Sequence, residues 1–429
     1  MSQGVSAIEY HERTKHTPRS VRGASLDFEN KPRPDTIYRG LPRFGANREI
    51  PGPSMPALQA IASADWNGTG NLGLETLLAL CYYAAGITKT ISRHGHEHEF
   101  RAAACTGALY HIDLYAVCGD IEDLEAGVYH YDPRTDTLER LRNGDYRGNL
   151  ATATCAQSVQ SAPVTMIATS TWWRNAWKYE ARTYRHAFWD SGTILANLLA
   201  AARGFDLPAE VVTGFADDDV TALLGLDPEW CAPLELVAIG TGTPIGGNEL
   251  SVEPIDPEKA PLDSNPIEYP LIYDAWRSST LADGDAVSAW RDRGPRPVDG
   301  RGSGADTGVQ LEPEAPESAT ARPLDETIHR RGSCREYVRE PIPFRTFSTV
   351  LDRAVRGLPL DVRAETSRPF EFLDCYCIAN GIDGLEDGFY QYHAAAGTLE
   401  HLRSGTAREE AGQLALGQRL GADAAACLY

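Results

Sequence analysis

Arg331, Ser333 and Arg335 alternate along one stretch, and these residue types suit a phosphate: guanidiniums give charge-assisted hydrogen bonds and a hydroxyl adds a donor. They are expected just before a helix; a solvated surface turn is the other reading of so short a pattern. His94, His96 and His98 also alternate. Three imidazoles can bind zinc, but alternation does not fix tetrahedral geometry, and a solvated loop is favoured, with no metal. Cys375 and Cys377 flank Tyr376 at strand spacing, so both point one way, for which core packing is the default.

The elements that would position such residues are set by a repeat. Shifting Asp113–Ala168 by 261 positions lays it on Asp374–Tyr429 without a gap, and sixteen of the 56 positions coincide, among them Asp113/Asp374, Tyr115/Tyr376, Gly127/Gly388, Tyr129/Tyr390, Leu138/Leu399 and Gly144/Gly405. Unrelated residues at ordinary frequencies would share about three or four. The chain therefore holds two copies of one unit, and a fused duplicate can imitate a two-fold homodimer. Tyr429 falls on Ala168, so copy two has no counterpart of the residues beyond Ala168; it is either a fragment or borrows those elements.

The segment Phe344 to Ala354 aligns with Leu74 to Ala84 at an offset of 270, so copy two is nine residues shorter between its helix and its strand. That deletion falls on the Gly- and Ala-rich loop Phe100 to Tyr110. The same offset places Arg331–Arg335 on Ile61–Asp65, where copy one has neither arginine. The losses are reciprocal: one copy keeps the phosphate-type residues, the other keeps the loop.

With 60 acidic against 40 basic residues, the net charge of -20 argues against a nucleic-acid partner. Nine scattered cysteines without a Cys-x-x-Cys pair suit a reducing cytoplasm, and no apolar run is long enough for a membrane span or a standard export signal. The expected organisation is an extended arm (1–56), a first domain (57–244), a Pro/Gly/acidic linker (245–320) with an apolar patch at Tyr269 to Trp276, and a second, truncated domain (321–429). Period-two strands are expected over Leu114–Val117, Gly127–Tyr131, Thr137–Leu141, Val164–Thr169 and Leu234–Ile239. Helices are expected from Leu74 to Gly86, over about Glu180 to Arg203, and from a cap at Asp217 or Asp218 to Gly225. The class is α+β, with helices packed on a largely antiparallel sheet.

The arm Tyr10-His11-Glu12-Arg13-Thr14-Lys15-His16, the loop ending Gly107-Ala108-Leu109-Tyr110, the segment Gly127-Val128-Tyr129-His130-Tyr131-Asp132-Pro133, and Trp177-Lys178-Tyr179 followed by Arg182, Tyr184 and Arg185 resemble SagB-type dehydrogenases, within the flavin-binding nitroreductase superfamily. The resemblance covers most of residues 1–240 and resumes near 324. It implies a nitroreductase-like fold, duplicated here as an intramolecular pseudo-dimer with a further homodimer open, and FMN at the two-fold interface. It implies phosphate contacts from Arg331, Ser333 and Arg335 and flavin contacts from the loop Ala104, Cys105, Thr106 and Gly107, where Ala104 and Cys105 stand for the family's proline and serine. One composite FMN site is then expected. It further implies that Lys178 and Tyr179 remove a proton as hydride passes to flavin, a lysine whose pKa is lowered by burial serving as base. The alternative is that Tyr179 joins an aromatic shelf with Trp172, Trp173 and Trp177 and Lys178 snorkels from it. The implied reaction is oxidation of a small-molecule or peptide substrate, azoline to azole among the options. A nicotinamide-dependent nitro or quinone reductase and a flavin-free peptide-binding module are the alternatives.

Overall fold

The computed structural model describes residues 4–17, 26–62, 67–93, 95–246, 249–263, 265–294, 308–316, 322–355, 357–362 and 373–429. The strands, in chain order, are β1 (Arg43–Phe44), β2 (Ile87–Arg93), β3 (His96–Arg101), β4 (Ile112–Cys118), β5 (Gly127–Asp132), β6 (Thr137–Asn143), β7 (Val164–Thr171), β8 (Ala209–Val212), β9 (Cys231–Ile239), β10 (Val309–Gln310), β11 (Ile342–Pro343), β12 (Cys375–Ala379), β13 (Ile382–Asp383), β14 (Gly388–His393), β15 (Thr398–Ser404) and β16 (Ala426–Leu428). The helices are α1 (Ala7–Thr14), α2 (Ala57–Ala60), α3 (Leu74–Ala85), α4 (Arg147–Thr154), α5 (Gln157–Ser161), α6 (Trp172–Tyr179), α7 (Thr183–Gly204), α8 (Asp217–Leu224), α9 (Pro270–Ser279), α10 (Gly284–Arg293), α11 (Leu324–Arg330), α12 (Phe344–Ala354), α13 (Arg408–Leu414) and α14 (Arg419–Asp423).

Along β4 the side chains alternate between two faces, and both are buried. Leu114 and Ala116 join a core with Leu77 and Leu78 of α3 and Leu198 and Ala201 of α7. Tyr115 and Val117 join another with Leu150 of α4 and Val220 and Leu223 of α8. An antiparallel sheet covered by helices on both faces explains why the strands read as nearly continuous apolar runs. The sheet has seven strands in the order β1-β6-β5-β4-β7-β9-β8, every pair antiparallel. This is the expected α+β class, with helices packed on a largely antiparallel sheet.

A five-stranded antiparallel sheet, β10-β15-β14-β12-β16, repeats the order β1-β6-β5-β4-β7. Details repeat with it. The ladder shifts between Val128 and Tyr129 in one sheet and between Phe389 and Tyr390 in the other. Tyr129 Oη donates to the Glu125 carbonyl at 2.8 Å, and Tyr390 Oη to the Glu386 carbonyl at 2.7 Å. The gapless alignment fails only at the end: Tyr115 pairs with Ile167, but Tyr376 bonds Tyr429 through both backbone groups. Tyr429 thus stands for Ile167 and not Ala168, one residue having entered before β16.

The arm is tied down where described: β1 pairs with β6, and α1 packs against α9. The linker holds two helices, and the apolar patch docks as α9, burying Ile272, Ala275 and Trp276. Asp217 is the first residue of α8 and not its cap; its carboxylate accepts the Leu281 amide instead. The starts of α2 and α11 meet reciprocally, Ala57 N donating to the Arg322 carbonyl at 3.1 Å and Leu324 N to the Met55 carbonyl at 2.9 Å. A contact in which each side does to the other what it receives is the mark of a local two-fold axis.

Candidate functional site

Asp190, in the second turn of α7, organises the loop between β3 and β4. Its Oδ1 accepts from Thr106 N at 2.9 Å and Thr106 Oγ1 at 2.7 Å; its Oδ2 accepts from Cys105 Sγ at 3.1 Å and His111 Nε2 at 2.9 Å. The imidazole then takes the Ser170 hydroxyl on Nδ1 at 2.8 Å. Burial works to raise the Asp190 carboxyl, but bonds from His111, Thr106 and Cys105 outweigh it and hold it below its ordinary value. Burial, then the Asp190 carboxylate, pushes the Cys105 thiol up, so the sulfur is a donor and not a thiolate nucleophile. Cys105, His111 and Asp190 offer ligand atoms within 4.8 Å of one another. The carboxylate's roughly four lone-pair positions are already taken by four donors, which accounts for the cluster as a hydrogen-bonded support.

The loop is braced from behind. Arg101 pairs with Asp35 at 2.5 Å and lies over the Tyr110 ring. Arg174 of α6, fully buried, pairs with Asp113 at 2.9 Å and donates to Thr36 Oγ1, fixing α6 against β4 and the arm. Its C-terminal residues reach the loop: a Cβ at Gly107, whose φ is +65°, would lie 3.0 Å from Tyr179 Oη. Tyr179 stands edge-on to His186, with ring centroids 4.6 Å apart. Burial, then Arg182, holds His186 down at about 4, so that ring is neutral. Lys178 is exposed, its Nζ 5.1 Å from the Tyr179 ring centroid. The expected burial of this lysine is not found, because α6 turns its last residues outward after Ala176.

Arg331 reaches the same loop from copy two. Its Nε and Nη2 donate to the carbonyls of Ala102 and Arg101, each at 3.1 Å. Ser333 and Arg335 come next on an exposed irregular segment, and among the described residues neither makes a hydrogen bond or ion pair. The three residues come directly after α11, not before a helix; α12 starts at Phe344. They meet the negative end of a helix dipole, so phosphate affinity there rests on side chains alone.

Gly107 and Tyr179 thus meet, Cys105 and Thr106 share Asp190, and Arg331 touches the same loop at its start, at Arg101 and Ala102. The histidine trio is not part of this group. His96 and His98 lie on β3, where His98 is exposed, and His94 falls outside the described residues. The β2–β3 hairpin replaces the expected loop. Asp190 and His111 were missed; an aspartate on the inner face of a helix otherwise rich in Ala and Leu was the available signal.

Residues 83–241 match the family described as Nitroreductase family. The trifolitoxin-processing protein TfxB of Rhizobium leguminosarum bv. trifolii is 33% identical over 166 residues, which is 37% of this chain. The match spans 44% of that protein's own length, less than two thirds. The crystal structure of a candidate nitroreductase from Anabaena variabilis superposes with a TM-score of 0.68 at 23% identity, covering 99% of this chain and 84% of that one. Among the described residues no helix is long and apolar enough to cross a membrane. Residues 83–241 are therefore a nitroreductase-family domain, within a chain of nitroreductase-like fold.

Proposed function

We propose that this chain is an FMN-dependent oxidoreductase of the SagB type, built as an intramolecular pseudo-dimer with one composite flavin site. The observation that supports this reading is the contact of Arg331 with the carbonyls of Arg101 and Ala102, because it joins the segment proposed to bind phosphate in one copy to the loop of the other. The donor set fits a dianionic phosphate: Ser333 and Arg335 are exposed and unengaged among the described residues, and Arg331 has N–H groups to spare. The space enclosed behind the loop is only about 10 Å³, so a planar ring belongs on its exposed outer face, at Gly107.

Bound flavin would supply a two-electron acceptor. Lys178 is the candidate acceptor of the proton that a substrate gives up; it is exposed, so the burial that makes a lysine a base would have to come from flavin and substrate covering it. Tyr179, held between Gly107 and the neutral ring of His186, orients that proton. Identity to a trifolitoxin-processing protein supports a peptide as the substrate.

The test is the absorbance of the purified protein near 450 nm, with flavin counted per chain after denaturation. A ratio near one is expected. Two flavins per chain would sink the composite site, and a colourless protein that ignores added FMN would sink the flavin reading. Rapid oxidation of NAD(P)H by the bound flavin would favour the nitro or quinone reductase instead.

A further inference from the structure

Several buried or half-buried arginines of this acidic chain are matched by a carboxylate, as Arg101 is by Asp35, Arg147 by Asp145, Arg174 by Asp113 and Arg291 by Asp361. Arg182 and Arg185 are not: among the described residues neither has a carboxylate within ion-pair range. Arg182 Nη1 donates to the Thr14 carbonyl, Arg185 Nη2 to Thr14 Oγ1 at 3.1 Å, and Arg185 Nη1 lies 3.3 Å from His11 Nδ1. These bonds seat the C-terminal turn of α1 but leave both charges uncompensated, and Arg182 Nε is buried without a partner. The proton affinity of Arg182 is lowered by burial and then by Arg185, and that of His16 by burial and then by both arginines. Uncompensated cations this close repel one another unless an anion joins them.

Arg185 opens onto a cleft of about 910 Å³ between α1, α7 and α9. That is the size of a site for a ligand larger than a small acid, where roughly 300–1,000 Å³ is usual. Phe188 and Trp189, 43% and 54% exposed, stand on its α7 wall. On the α9 wall, Arg277 is held by Asp218 at 2.7 Å, and Asp274 lines the cleft as its acidic residue.

We propose that Arg185, reinforced by the uncompensated charge of Arg182, binds a carboxylate of a peptide substrate whose neighbouring apolar side chains lie on Phe188 and Trp189. This rests on the peptide reading above and adds to it the charge and the place of contact. The guanidinium fork matches a carboxylate in two parallel hydrogen bonds, and a flat aromatic wall takes apolar side chains at little ordering cost. Asp274 limits the fit, since a second negative group reaching the α9 wall is repelled.

Isothermal titration of the full chain with three peptides tests this. The first is a blocked pentapeptide with aspartate between two phenylalanines, the second its asparagine counterpart, and the third the asparagine peptide with a free C-terminal carboxylate. The aspartate peptide should bind at least about tenfold tighter than the blocked asparagine peptide. Tight binding of the third peptide instead of the first would assign the carboxylate to a chain terminus and support the same site. The preference should vanish in Arg185→Gln, weaken in Arg182→Gln and partly return in Arg185→Lys, with unchanged thermal unfolding as the folding control. Equal binding of all three peptides, no binding of any, or a preference that survives both Gln variants overturns the proposal. Absorbance at 450 nm on the same samples keeps the two readings apart. A yellow protein without the preference loses only this proposal, and a colourless protein with it loses only the flavin.

Discussion

The hydroxyl of Tyr179 lies where a side chain at Gly107 would begin: a Cβ there would be 3.0 Å from Oη, on a backbone with φ of +65°. Gly107→Ala therefore meets both a left-handed backbone, costing about 1–2 kcal/mol, and a phenol that must move. The expected result is a modest loss of stability with a large loss of retained flavin, read at 450 nm. Full flavin content in this variant would separate the loop from the cofactor.

Arg331 uses its fork on two carbonyls of the facing copy, which one ammonium cannot reproduce. Arg331→Lys keeps the charge, yet flavin affinity should fall about tenfold or more. Titration of the apo-protein with FMN gives the number, and an unchanged affinity would remove Arg331 from the site.

Lys178 is exposed, so replacing it leaves the core untouched. Lys178→Ala should unfold at the parent's temperature while losing about a hundredfold or more in turnover. A variant of full activity would leave the lysine as a snorkelling side chain beside the Tyr179 ring.

Asp190→Asn puts an amide N–H₂ where the carboxylate now accepts from buried donors. The result is a mismatch worth about 2 kcal/mol and a looser loop. Hydrogen exchange of the Thr106 amide, now held at 2.9 Å, should quicken well beyond the exchange of the β4 amides. Equal change in both would mean global unfolding and not a loosened loop.

Buried Glu235, bonded to Ser191 Oγ at 3.3 Å, has its pKa raised by burial from 4.5 to about 8, and Asp217 likewise from 3.8 to about 7. Acids with raised folded-state pKa values stabilise most at low pH, and that contribution is lost as pH climbs to the folded value. His111 and His186 act oppositely, but only below their unfolded value of 6.5. Above that the raised carboxylates titrate, joined near pH 8.5 by buried thiols whose pKa is also raised, so stability should fall from pH 6.5 to 8.5, by about a few kcal/mol at most. Glu235→Gln should flatten most of that fall in urea unfolding series; an unchanged slope would deny the raised pKa.

Strands whose faces pack against different helices were legible as short, nearly continuous apolar runs, with Leu114 and Ala116 on one face and Tyr115 and Val117 on the other. The repeat was legible because identical residues do identical jobs, as Tyr129 and Tyr390 do. The β2–β3 hairpin was not, since its outer positions carry His, Glu, Arg and Lys in the pattern of a polar loop. Nor was the Asp190 cluster. Its members lie up to 85 residues apart, and nothing in the local sequence around Cys105 says which acid will come to it. The outward turn of Lys178 depends on where α6 ends against the loop, a tertiary decision that propensity does not carry.

The reciprocal bonds between Ala57 and Arg322 and between Leu324 and Met55 have a consequence for dilution. Two halves on one polypeptide meet at an effective concentration set by their tether, on the order of millimolar for a short flexible one, so their union does not weaken as the protein is diluted. A symmetric dimer must also carry every substitution twice. Here each half changes alone, and an arginine pair can be kept on one side while a loop is kept on the other.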